Sequence, residues 1–183
     1  FFIFFNTNTM KKQILTLASY PPRACGIATY SQDLWKALKQ KFGGQFNFTI
    51  CALENNVSNF LYPPEVVRVL DVTEAANFDR LAQDINRNPE IVAVHIQHEF
   101  GLFGGQYGAH LLHLLAALQK PAFVTFHTVL PHPDRARWQI VQAICSMAVS
   151  THVMSQHGAN LLTRDYQVPA ERIVVIPHGT HAV

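Results

Sequence analysis

Seven short apolar runs constrain this chain more than any other feature. They occupy residues 14–19, 46–52, 66–70, 91–96, 122–126, 151–154 and 173–176. Short runs of that length, mostly apolar and bounded by turn residues, are what strands buried on both faces of a parallel sheet require. Helical patterns lie between most of them. Ile27, Tyr30, Leu34 and Leu38 recur at helical spacing, as do Leu111, Leu114, Leu115 and Leu118, and Trp138, Val141, Cys145 and Ala148. Side chains three or four apart share one face of a helix, so the three stripes are predicted to be core. Ser155 is placed as the N-cap of a helix running through Leu162, and Pro133 in the first turn of the helix before it. Asn88-Pro89 and Lys120-Pro121 are read as the turns that introduce strands. The predicted fold class is α/β, with a doubly wound, mostly parallel, Rossmann-like sheet.

A length of 183 residues suits one domain, and no internal repeat or low-complexity linker divides it. With 49% apolar and 14% charged residues the chain can bury a large core, which excludes disordered, collagen-like and coiled-coil classes. Fourteen Lys and Arg against 12 Asp and Glu leave a net charge of +2 with no basic run, so nucleic acid is not an expected partner. The same small charge gives little attraction to an anionic membrane surface. Three separated cysteines, with no C-x-x-C pair, suit a reducing compartment, and the expected localisation is cytoplasmic. Residues 1–9 have no cationic region and too few apolar residues for a span, and are read as an extraneous or disordered extension. Met10 is a candidate natural start, and 10–183 the domain.

In a sheet of this kind ligands sit beyond the carboxyl ends of the strands, so the residues just after each apolar run matter most. After the first run, Pro21-Pro22-Arg23-Ala24-Cys25-Gly26 forms a rigid loop ending in a glycine at a helix start. Gly26 allows either a tight turn or close backbone approach to a phosphate or sugar hydroxyl, and Arg23 is within reach of a phosphate or is simply solvated. The loop lacks the G-x-G-x-x-G pattern of dinucleotide binding. Cys25 has no base assigned to it and is read as a packing residue.

The fourth run leads into His95-Ile96-Gln97-His98-Glu99-Phe100-Gly101, followed by Gly104-Gly105. On a strand His95 and His98 point to opposite faces, which disfavours a shared metal. His95 is read as a satisfied core histidine. Gln97, His98 and Glu99 are read as hydrogen-bonding groups for a polyhydroxylated ligand, and Gly104-Gly105 as a second anion or hydroxyl site opening the next helix. His127 and Thr128 directly follow the fifth strand, where they would face the cleft. The last run ends in Pro177-His178-Gly179. No G-x-S-x-G elbow accompanies these residues.

Taken in order, these motifs resemble the amino-terminal half of retaining glycosyltransferases of family 4, which have the GT-B fold. The resemblance covers residues 11–181, nearly the whole chain. It is carried by Cys25-Gly26-Ile27-Ala28-Thr29-Tyr30, Gln97-His98-Glu99-Phe100-Gly101 with Gly104-Gly105, Thr125-Phe126-His127-Thr128, and Glu171-Arg172-Ile173-Val174-Val175-Ile176-Pro177-His178-Gly179. His178-Gly179 stands where the family usually has Asn-Gly, and Cys25-Gly26 where it often has two glycines, which marks a subgroup.

The resemblance implies an enzyme that moves a sugar from a nucleotide diphosphate sugar to a carbohydrate or lipid acceptor. No further cofactor is implied, and no D-x-D triplet is present for a metal. It places His127 against the donor sugar as the candidate catalytic residue, and the Gly26 loop near the diphosphate or acceptor. Arg23, Gln97, His98, Glu99, Gly104, Gly105, Thr128 and His178 are the candidate substrate-binding residues. In the family the donor is held chiefly by a carboxy-terminal domain bearing Glu-x7-Glu, a spacing that none of the six glutamates here provides, so a fragment lacking that domain is expected. The alternative is a non-catalytic, stand-alone sugar- or nucleotide-binding α/β module. A histidine-rich metal hydrolase is a third reading, and it needs convergent ligands that spacing alone does not supply.

Overall fold

The computed structural model describes residues 11–55 and 60–179. The extension 1–9, Met10 and His181 lie outside them. All seven apolar runs are strands: β1 (Lys12–Ala18), β2 (Phe46–Glu54), β3 (Val66–Asp71), β4 (Ile91–His98), β5 (Ala122–Phe126), β6 (Ser150–Val153) and β7 (Ile173–Val175). They form one sheet in the order β3-β2-β1-β4-β5-β6-β7, with every neighbouring pair parallel. The helices between them are α1 (Gly26–Phe42), α2 (Ala75–Arg87), α3 (Leu111–Ala117), α4 (Arg135–Met147) and α5 (Gln156–Tyr166).

The strand order fixes where the helices go. From β1 the chain steps through α1 to β2 on one side, whereas α2 to α5 carry it stepwise the other way, from β3 across to β7. Right-handed crossovers then place α1 on one face of the sheet and the other four helices on the opposite face. α2, α3, α4 and α5 pack successively on one another, and α1 packs on β1 and β2. The α/β, doubly wound expectation holds, and the sheet is parallel throughout.

The main core lies under the four-helix layer, where Leu17, Phe78, Ile85, Leu114, Val124 and Ile144 are fully buried. Each contributes about 1.5–3 kcal/mol relative to an exposed side chain. α2 belongs to none of the three predicted stripes, yet it buries Phe78, Leu81, Ala82 and Ile85 along one face, a pattern the sequence carries in full. The α1 stripe is corrected in the other direction. Only Ala28 and Ser31 of that helix are buried, and Ile27, Tyr30, Leu34 and Leu38 stay half-buried because one helix alone flanks this face of the sheet. Tyr30, Leu34 and Leu38 instead line an apolar groove of about 270 Å³ with Ile14, His95 and Phe123.

Helix starts follow side-chain capping. The Ser155 hydroxyl accepts the Gly158 amide at 3.1 Å at the head of α5, as expected. Pro133 lies just before α4 rather than in its first turn, because the Asp134 carboxylate takes the cap and accepts the Arg137 amide at 2.9 Å. β4 runs two residues past the predicted end, since its pairing with β5 continues through Gln97 with Thr125 and His98 with Phe126. That extension decides which faces Gln97 and His98 occupy.

Candidate functional site

The chain leaves β1 and β4 in opposite directions, and the crevice between two such carboxyl ends is where ligands bind in open α/β sheets. A cleft of about 1010 Å³ lies there, lined among others by Arg23, Gly26, Tyr30, Glu99, His127 and His178. Five of the ten residues expected from sequence therefore meet on one surface, contributed by the ends of β1, β4, β5 and β7.

The first wall is the loop before α1. The Cys25 sulfur accepts the Ala28 amide at 3.3 Å and lies 3.2 Å from the Ser19 hydroxyl, so Cys25 is the helix N-cap, a role its sequence position alone did not reveal. Gly26 begins the helix, and a Cβ built on it meets no atom within 4 Å, so any side chain there would occupy open space at the cleft wall. The backbone is accessible at that point for the same reason. Arg23 Nη1 donates to the Leu53 carbonyl at 3.2 Å, which ties the loop to the end of β2.

His127 continues β5, its amide donating to the His98 carbonyl at 3.0 Å. Its Nε2 lies 2.7 Å from Oε1 of Gln97. Burial, with His178 nearby, pushes the His127 pKa down to about 4, so the ring is neutral at pH 7. Tyr30 presents an edge to the His127 ring at 5.0 Å and a tilted contact to the exposed His178 ring at 5.1 Å, so one tyrosine bridges the two histidines. Sequence reading assigned Tyr30 to the core. Its position one helical turn beyond Gly26 was the available signal that it shares the cleft-facing side of α1.

Gln97 has no exposed surface and stands behind His127 rather than in the cleft. The other end of its amide approaches the His95 ring, with Nε2 at 3.2 Å from one nitrogen, and His95 Nε2 lies 3.0 Å from the Thr125 hydroxyl. His95 is thus hydrogen-bonded as expected. Burial, with His152 and His127 beside it, pushes its pKa down to about 4.

Glu99 lines the cleft but also ties down its surroundings, accepting the Phe100 amide at 2.9 Å and a short hydrogen bond from the Thr128 hydroxyl. Thr128 thereby clamps the loop after β4 to the loop after β5. His98 departs most from its expected role. Strand alternation turns it to the opposite face from Gln97, where it is fully buried, stacked on Phe103 at 5.7 Å and packed against Phe126 at 4.5 Å. Neither ring nitrogen has a hydrogen-bond partner among the described residues, and burial pushes its pKa down to about 3. Enclosed by aromatic rings, it has no surface to offer a substrate.

Gly104 and Gly105 open a three-residue 3-10 turn, Gln106–Gly108, not a full helix. Both adopt φ near +65, and a Cβ on Gly104 would lie 1.9 Å from the Val72 carbonyl oxygen and 2.8 Å from His110. They let this loop pack against His110, whose Nδ1 lies 3.0 Å from the same Val72 oxygen. Gly104→Ala is expected to destabilise the fold by about 2 kcal/mol, from the left-handed backbone and the clash with main chain together. The midpoint of urea unfolding measures it, and an unchanged midpoint would mean the loop can relax. Among the described residues no group of three His, Cys, Asp or Glu side chains is placed to hold a metal ion.

The seven-stranded parallel sheet with its interleaved helices is a Rossmann-like α/β fold of the kind found in a GT-B half domain, and comparison with known families agrees. A sequence profile described as Glycosyltransferase Family 4 matches residues 26–182, most of the chain. The chain belongs to that family. No match was found among curated proteins.

Proposed function

We propose that the chain is the acceptor-side half of a retaining glycosyltransferase, which transfers a sugar from a nucleotide diphosphate sugar to a carbohydrate or lipid acceptor. The observation that carries this reading is the convergence of the α1 amino-terminal turn, the neutral ring of His127 and the His178-Gly179 segment on one cleft. A departing nucleotide diphosphate carries off negative charge while positive charge grows on the sugar, so placement of dipoles matters more than a nucleophile. The backbone at Gly26 suits the diphosphate or the acceptor, His127 orients the sugar, and Glu99 and Arg23 border the acceptor. A second, carboxy-terminal domain supplies most of the donor contacts. No helix among the described residues is long and apolar enough to cross a membrane.

Joining the chain to a carboxy-terminal half from the same family tests this. Transfer from a panel of nucleotide diphosphate sugars is expected for the joined protein, with the anomeric configuration kept when followed by NMR, and only trace transfer for the chain alone, because about half the transition-state contacts are then missing. Robust turnover by the chain alone, or inversion of the anomeric centre in the joined protein, would refute the respective part of the reading.

A further inference from the structure

We propose that Gln97 is a positioning residue: its amide fixes which ring nitrogen of His127 carries the proton, and so makes Nδ1 the acceptor that this ring presents. The proposal concerns the cleft of the transfer reading and depends on that reading only for what Nδ1 meets.

An amide oxygen can only accept, so the 2.7 Å contact from Gln97 Oε1 to His127 Nε2 requires the proton on Nε2. The amide is held at both ends. Its NH2 group lies 3.2 Å from the His95 ring, and that ring is held in turn by the Thr125 hydroxyl at 3.0 Å. Turning the amide end for end would place NH2 against His127, and that ring would have to move its proton from Nε2 to Nδ1 to accommodate it. Register reinforces the arrangement, because Gln97 pairs with Thr125, and His95 with Phe123, so all four side chains lie on one face of the sheet. Tyr30 stands edge-on to the His127 ring with an interplanar angle of 86° and limits its rotation. A buried side chain serving only to fill space would be cheaper as a hydrocarbon, since an amide must be desolvated and then fully paired. Gln97 is fully buried, and its amide contacts the two imidazoles of His95 and His127.

The test reads the ring directly. With the whole chain labelled with 15N-histidine, and the His127 signals assigned from their loss in His127→Asn, long-range nitrogen–proton correlation spectra give the tautomer. The Nε2–H form is expected to dominate, to persist in Gln97→Glu, which keeps an acceptor oxygen, and to lose ground by about fivefold in Gln97→Leu, the factor one net hydrogen bond supplies. A proton on Nδ1 in the unsubstituted chain, or a tautomer ratio unchanged in Gln97→Leu, overturns the proposal. Should Gln97→Leu fail to fold, the unsubstituted chain and Gln97→Glu still decide it. Absence of glycosyl transfer would leave these spectra as they are, so the two readings fail separately.

Discussion

Acidification from pH 7 to pH 5 is expected to remove about 4 kcal/mol from the stability of this chain. Three histidines carry the effect: His98, with a pKa pushed down to about 3, and His95 and His127, each pushed down to about 4, all chiefly by burial. In the unfolded chain each would titrate near 6.5. Between that value and the folded ones the unfolded state binds more protons than the folded state, so stability rises with pH and is lost on acidification. The stabilisation is lost progressively as pH falls from about 6.5, down to about pH 4 for His95 and His127 and about pH 3 for His98. His98, fully enclosed, accounts for about 2 kcal/mol of the change between pH 7 and pH 5, and the partly exposed His95 and His127 for about half as much each after solvent screening. Domains of this kind are commonly stable by about 5–15 kcal/mol, so the loss is large enough to see as a fall in the urea midpoint. His98→Leu provides the check on assignment. It removes two buried nitrogens that have no partner, so it should raise the midpoint at pH 7 and flatten the pH dependence by about 2 kcal/mol. A midpoint equal at pH 7 and pH 5 would mean the three rings are hydrated in the folded chain, contrary to their packing.

The same histidines show where the sequence was legible. His127 follows a five-residue apolar run with nothing ambiguous between, so its place at a strand end, and with it a place in the cleft, could be read directly. Arg23, Gly26, Glu99 and His178 follow their strands in the same way. For Gln97 and His98 the question was how far β4 extends, and apolarity is silent there because the run ends at Ile96 while the ladder continues to His98. A strand that persists sends neighbouring side chains to opposite faces, so one of the pair is turned to His127 and the other into a ring of phenylalanines. Two of the rings that enclose His98, Phe103 and Phe126, come from different segments, a juxtaposition only tertiary structure creates. Gly104 and Gly105 illustrate a related point. A glycine pair at a segment start signals close approach, and the structure shows the Val72 carbonyl and His110 as approaching groups. The seven strands were plain because continuous apolar runs have few other uses in a chain this size, whereas the α1 stripe looked like core although the sheet face beside it is shared with the cleft and the groove.

His127→Ala, in the chain joined to a family carboxy-terminal half, is expected to lower kcat at least about a hundredfold, the loss typical of one preorganised polar group in a closed site. The ring is held on two sides, by the Gln97 amide at 2.7 Å and the Tyr30 edge at 5.0 Å, so its hydrogen bond to a sugar would be formed without reorganisation. Loss of a group that acts mainly in the transition state lowers kcat and kcat/KM together, whereas loss of simple substrate affinity raises KM and leaves kcat alone. The pH profile separates roles further. Because burial holds the His127 pKa near about 4, the ring stays neutral through pH 6–8 and kcat should show no inflection there from this residue, in contrast to a histidine working as a proton shuttle near neutrality. His113→Ala is the matched control. That histidine sits on α3 with half its side chain exposed, paired with Asp79 at 3.3 Å, and its removal should leave kcat unchanged. A near-normal rate for His127→Ala would take the residue out of the catalytic set and shift attention to its neighbours Tyr30 and His178, the other two rings that meet at the mouth of the cleft.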